Sequence, residues 1–204
     1  MRIAAMATLR RKLPRFLADR RGVGAMEFAL IAPLLLALYF ISMELSLGFE
    51  TDKRIDRIGS MVADLVTQKP SIKKADVEEI MQLANTLLQP YDRSKPKVVV
   101  TAIQITNDTT PKAQVVWSRQ MADGKFTQPF KKDSIVAVPD NLKIANSFFI
   151  RVSSSLEYKP LITWSASQKT TLGLTGAFDN ISLGDTYYLR PRMTATIACD
   201  DCNS

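Results

Sequence analysis

The sequence predicts an α+β protein. A long N-terminal apolar helix crosses a membrane, runs on as an amphipathic stem, and packs on an antiparallel sheet. Three observations predict this. FALIAPLLLALYFISM, from Phe28 to Met43, is a run of sixteen residues without a charge. Apolar residues then recur at spacings of three and four as far as about Gln68, a helical period. From Val98 onward β-rich stretches alternate with turn signals.

The chain has 204 residues, room for one folded domain and an appendage. With 46% hydrophobic and 23% charged residues its composition is that of a folded protein. The formal charge of +7 is unevenly placed. Residues 1–22 hold Arg2, Arg10, Arg11, Lys12, Arg15, Arg20 and Arg21 against Asp19 alone, a net +6. The remainder carries 20 basic and 19 acidic residues. The basicity therefore belongs to the leader, and a nearly neutral body is not expected to bind nucleic acid.

The membrane helix comes first. Sixteen residues cover roughly 24 Å, short of the roughly 30 Å of a hydrocarbon core. Adding Val23 to Met26 and Leu45 to Phe49 supplies the length and brings in Glu27 and Glu44. Both acids then lie near an interface, away from the midplane where a charge is most costly. The excess of Lys and Arg before the span predicts a cytoplasmic N-terminus and a body across the membrane. A cleaved secretory signal fits less well, because the apolar run passes Ser42 into an acidic helix without a good small-x-small site. The expected division is a basic cytoplasmic leader over 1–22, a transmembrane helix over 23–49 and a periplasmic α+β domain over 50–204.

Glu27 admits two readings. It could be a helix-start acid, favoured by about 0.3–1 kcal/mol through the dipole. Alternatively, Gly22 followed by four residues and Glu27 ahead of an apolar helix is the processing pattern of type IV prepilin-like proteins. A cut after Gly22 makes Val23 a cationic N-terminus. Glu27 of one subunit then neutralises the amine of a neighbour, since a buried acid and a buried amine each need a partner.

The stretch RRGVGAMEFALIAPLLLALYFISMELSLG resembles the signature of TadE-like pseudopilins of Flp/Tad (tight adherence) pilus systems. Arg20, Arg21, Gly22, Glu27, Phe28, Ala29, Leu30, Pro33 and Glu44 occupy the family's places. The far end, YYLRPRMTATIACDDC, is similar to the close of alphaproteobacterial members, with Tyr188, Arg190, Pro191, Arg192 and a final Cys-x-x-Cys. Phe28 stands where the major Flp pilin has tyrosine, and the chain is far longer than that pilin. The resemblance therefore implies an accessory pseudopilin with a pilin-like fold. It implies prepilin-type processing at Gly22, Val23 and Glu27, and helix assembly through Glu27, Phe28, Pro33 and Glu44. The partners it implies are the inner membrane, other pilins and pseudopilins, Tad platform proteins and a prepilin peptidase.

The stem follows. Leu47, Ile55, Ile58, Met61, Val62, Leu65 and Val66 form an apolar stripe expected to pack on the protein's own core, and Pro70 ends it. A second helix is expected with Asp76 as N-cap and Glu79 as its capping-box partner. Val77, Ile80, Met81, Ala84, Leu87 and Leu88 form its apolar face, and Pro90 closes it. Strands are expected over Val98 to Thr106, Ala113 to Gln120, Ser147 to Tyr158 and Asp185 to Arg192. The turn signal NDTTPK makes the first two an antiparallel hairpin. Asp123-Gly124 and Thr175-Gly176 break the pattern.

Little in the sequence points to catalysis. The absence of histidine excludes Ser-His-Asp and Cys-His chemistry and His-bearing zinc sites. No phosphate-binding glycine loop occurs. Asp200 and Asp201 beside Cys199 and Cys202 make a poor zinc site, because two thiols lack two further good ligands. No helix follows the Cys-x-x-Cys to activate it as a redox centre. A local disulfide in the periplasm is the expected fate of Cys199 and Cys202; its small ring would tidy the tail. No cofactor and no enzymatic activity are expected. The expected function is a minor pseudopilin acting structurally in pilus biogenesis and adhesion. The alternatives are a periplasmic sensor or ligand-binding domain on a signal anchor, marked by a deep polar pocket, and a membrane-tethered enzyme.

Overall fold

The computed structural model describes residues 23–160 and 181–203. The chain divides into two compact units, Met1–Leu45 and Ser46–Ser204. Helix α1 (Val23–Thr67) contributes to both. The expected loop break at Thr175-Gly176 lies outside the described residues.

In the first unit the described residues are helical from Val23 to Leu45. Side chains as large as Met26, Phe28, Leu30, Leu34 and Leu38 are exposed all round the helix. Among the described residues, α1 is the one helix long and apolar enough to cross a membrane. The Ser42 hydroxyl donates to the Leu38 carbonyl at 2.8 Å, which leaves no unpaired polar group there for lipid to solvate.

The second unit is α+β. Its strands are β1 (Lys97–Ile105), β2 (Ala113–Ala122), β3 (Lys125–Thr127), β4 (Phe148–Tyr158) and β5 (Ile181–Leu189). They form an antiparallel sheet in the order β3-β2-β1-β4-β5. The expected first hairpin is β1–β2. β3 is too short to carry an alternating pattern. The sequence break at Asp123-Gly124 is its hairpin turn, with φ of 51° and 75° at the two central residues. A two-residue hairpin turn with both φ positive matches the strand twist, and Asp-Gly supplies it.

One face of the sheet is covered by the stem, residues 46–67 of α1, and by α2 (Lys74–Leu87). Ile55, Ile58, Val62 and Val66 of the stem join Val77 and Met81 of α2 in one core. Val98, Val100, Trp117, Ile150 and Val152 complete it from the sheet. The stem comes very close to the sheet at Gly59. A Cβ there would lie 2.6 Å from Ser154 Oγ and 3.0 Å from the Tyr187 ring. Ser154 Oγ donates to the Ile55 carbonyl at 3.1 Å across the same contact.

Side chains alternate along a strand, so Ile103, Ile105, Ala113 and Phe149 point to the opposite face. They form a second, smaller core with Val138. The segment over residues 133–144 covers it and bonds along β2, with Val115 N–H to Ser134 O and Val136 N–H to Ala113 O. A bulge shifts the β1–β2 register between Ala102 and Ile103, and both Val115 and Trp117 are fully buried beside it.

The start of α2 differs from expectation. Asp76 stands inside the first turn, where its carboxylate accepts the Lys73 N–H at 3.2 Å. The N-cap position falls on Lys73, which has no capping oxygen. The next amide, Lys74 N–H, bonds instead to Asp201 Oδ1 at 2.8 Å, far away in sequence.

Candidate functional site

Among the residues expected to act in processing, Gly22 lies outside the described residues. Val23 heads the described part of α1, and Glu27 stands one turn in and is exposed. Phe28 is 72% exposed and Pro33 lies within the helix. Glu44 differs: it is buried, at 6% exposure. The two acids are seventeen positions apart, about 26 Å along a helix. That is close to the thickness of a hydrocarbon core, so each acid stands near one end of such a span.

On the helix surface, residues three and four apart are neighbours, so Glu27 shares a side with Leu30 and Ile31. Glu27 is therefore an exposed carboxylate among exposed apolar side chains.

The family model for TadE-like protein matches residues 22–57. The TadE-like match contains Gly22, Glu27, Phe28, Pro33 and Glu44, and it ends within the first turns of the stem. No curated protein matches the chain, and no solved structure does. The sheet and α2 lie outside the TadE-like match.

The sheet domain has an open groove of about 590 Å³, lined by charges of both signs. Arg93, Lys95, Lys97 and Lys159 alternate there with Asp92, Asp123 and Glu157. This mixed, solvent-facing lining does not converge on one ligand charge. It does not favour the ligand-binding alternative.

Two groupings were not legible in the sequence. The first joins Asp52 and Asp56 of the stem to Asp185 and Tyr187 of β5. Burial, then the charges of Asp52 and Asp185, raise the Asp56 pKa above the usual carboxylate value. Burial, then the charges of Asp56, Asp185 and Asp52, raise that of Tyr187. No sequence signal pairs residues so far apart.

The second grouping is the segment after β5. A disulfide joins Cys199 and Cys202. Its sulfurs do not hang on a loose tail: Cys202 is fully buried and Cys199 is 6% exposed, and both belong to the main core. The alternation of Ile197 and Cys199 was the available sign that this segment packs like a strand. Cys199, Asp201 and Cys202 bring their donor atoms within 4.8 Å of one another. With the sulfurs joined, neither offers the thiolate that a soft metal needs.

Proposed function

We propose that the chain is a minor pseudopilin of a Tad-type pilus, anchored in the inner membrane by α1 with its sheet domain in the periplasm. The observation that carries this reading is Gly22-x-x-x-x-Glu27 at the head of an exposed apolar helix, inside the TadE-like match. The role is structural. A peptidase removes residues 1–22, and α1 then docks beside the helices of other pilins or pseudopilins at the Tad platform. There Glu27 meets the Val23 amine of a neighbour. Neither charge is stable alone in a low-dielectric setting, so their pairing selects the docked register. The sheet domain, held by the stem, primes or stabilises the base of the fibre.

Co-expression with a prepilin peptidase tests the cut. Mass spectrometry of the purified chain is expected to show an N-terminus at Val23. Glu27→Leu tests assembly. It is expected to improve insertion, since it removes an acid from the edge of the span, and to reduce pilus number on cells. A helix-start acid makes the opposite forecast: normal pili and a small stability change. Normal pili in the Glu27→Leu strain, with Met1 retained in the native chain, would falsify the pseudopilin assignment.

A further inference from the structure

We propose that the Cys199–Cys202 ring is a redox-locked clasp that completes the main core and fixes the start of α2. This goes beyond the pilus reading and stands on contacts within the sheet domain alone.

The ring sits at the centre of a set of bonds reaching three other elements. Ile72 N–H donates to the Ala198 carbonyl at 3.1 Å, beside a parallel bridge between Ser71 and Ala198. This ties down the connection between α1 and α2. Lys74 N–H donates to Asp201 Oδ1 at 2.8 Å, so a residue inside the ring satisfies one of the amides that the first turn of α2 leaves without a helical partner. The indole N–H of Trp117, itself fully buried on β2, donates to the Ile197 carbonyl at 2.9 Å. Asn203 Nδ2 donates to the Val116 carbonyl at 3.3 Å at the bulge. Val116 is the residue the register shift leaves without a partner on β1, so this bond serves a carbonyl near the irregular point of the sheet.

Side-chain chemistry explains why the bond has to be oxidised. Two sulfurs joined in a ring hold residues 199–202 in a tight reversal. That geometry keeps the Asp201 carboxylate turned to α2 while both sulfurs enter the core. Reduced, the two thiols must each fit the space separately, and the reversal gains the freedom of an open chain. Asp201 Oδ1 also lies 3.3 Å from Cys199 Sγ. A carboxylate this close repels an incoming thiolate by like charge and shields that sulfur from attack. Burial of both sulfurs excludes an external thiol as well, so reduction requires the segment to open first.

The chemical step balances simply. Two thiols lose two protons and two electrons, two S–H bonds break and one S–S bond forms. The electrons pass to a disulfide-bearing oxidant by thiol–disulfide exchange, and that oxidant leaves as a dithiol. The domain is therefore a substrate for a dithiol oxidase. Its folded form is completed where such an oxidant acts.

The test uses the full chain in detergent micelles, exposed to dithiothreitol and trapped with iodoacetamide. Native protein is expected to be reduced at least about a hundredfold more slowly than protein in concentrated urea, because opening must precede attack. Hydrogen exchange is then compared between oxidised and reduced chains. Reduction is expected to speed exchange at Ile72 and Lys74 by about tenfold or more, while Val100 and Val152 in β1 and β4 keep their protection. Asp201→Ala separates the bond from the cap: Lys74 is expected to lose protection while Ile72 keeps it and the disulfide remains. Equal reduction rates with and without urea overturn the clasp. So does unchanged exchange at Ile72 and Lys74 after reduction. Loss of protection throughout β1 and β4 overturns it too, because the bond then holds the whole domain instead of one corner.

Discussion

The two halves of α1 are built to opposite specifications on one helix. From Gly24 to Phe40 the large apolar side chains face every direction and are exposed, and only Ile41 and Met43, near the end of this half, are half-buried. From Ser46 to Thr67 the buried apolar residues narrow to one stripe, with Phe49 and Met61 left exposed. Ile55, Ile58, Val62 and Val66, at spacings of three and four, are buried, while Lys53, Arg57 and Ser60 face outward. The difference shows that apolar content alone does not say what a helix packs on. A helix apolar all round needs an apolar surround on all sides, as lipid or other helices provide. A striped helix needs one partner surface, and the sheet is that surface.

Mutations can break each half by its own rule. The largest effect is expected in the stem. Ile58→Ala removes a fully buried side chain from the main core and is expected to cost about 2–5 kcal/mol in urea unfolding of the full chain in detergent. Leu36→Ala, on the exposed half, is expected to leave that midpoint unchanged. A loss at Leu36 equal to that at Ile58 would mean the first half also packs on a protein core.

Next comes Leu36→Arg, which places a charge near the middle of the apolar run. Insertion is expected to become less favourable by about 2.5–3.5 kcal/mol, read as the fraction of chain recovered in membranes. The unfolding midpoint of the sheet domain should not move. Unchanged membrane recovery would show that this half is not solvated by lipid.

The glycines sharpen the same contrast. Gly59→Val sets a side chain against Ser154 Oγ and the Tyr187 ring, and overpacking of this kind is expected to cost about 1–3 kcal/mol. Nothing lies within 4 Å of a Cβ built on Gly24. Gly24→Val is expected to change stability by less than about 0.5 kcal/mol.

The smallest expected effect is that of pH on the contact between stem and β5. The Asp56 pKa is raised in the folded chain by burial and by Asp52 and Asp185. An acid raised on folding favours the folded state below its unfolded pKa. That advantage is lost as pH rises through the folded value. Stability from this group should therefore increase as pH falls from neutral toward the ordinary carboxylate range. Asp56→Asn should raise the neutral-pH midpoint slightly and flatten its pH dependence. A mutant less stable at neutral pH would show that the carboxylate is held by a favourable partner instead.

How much was legible in the sequence varied along the chain. The end of the stem was read to within about one residue, because its period of three and four and the following Pro70 are local signals. Met61 of the expected core stripe, however, is exposed. β1, β2 and β4 followed from β-branched and aromatic runs bounded by turns. β3 was missed because three residues cannot show a period. The cover over the second core was missed because Val136, Val138 and Leu142 lie on an irregular segment with no repeating pattern. In the candidate site, Glu27 stood out because a carboxylate is rare beside an apolar run. The role of residues 196–203 did not, because the alternation of Ile197 and Cys199 is too short a pattern to show where the sulfurs point.

What the sequence by itself determined is local: the apolar run and its bounding acids, the cluster of basic residues ahead of it, the striped stem and the alternating strands. Each depends on side chains within a few turns or pleats of one another, and periodicity records such neighbours directly. Only the tertiary structure decided which surfaces meet. It brought Gly59 against Tyr187, Arg119 of β2 into an ion pair with Glu78 of α2, and Asp201 to the Lys74 amide. These pairs are joined by chain reversals whose geometry depends on the whole core. The residue that caps α2 therefore lies beyond the last strand, while the nearby Asp76 takes a lesser place.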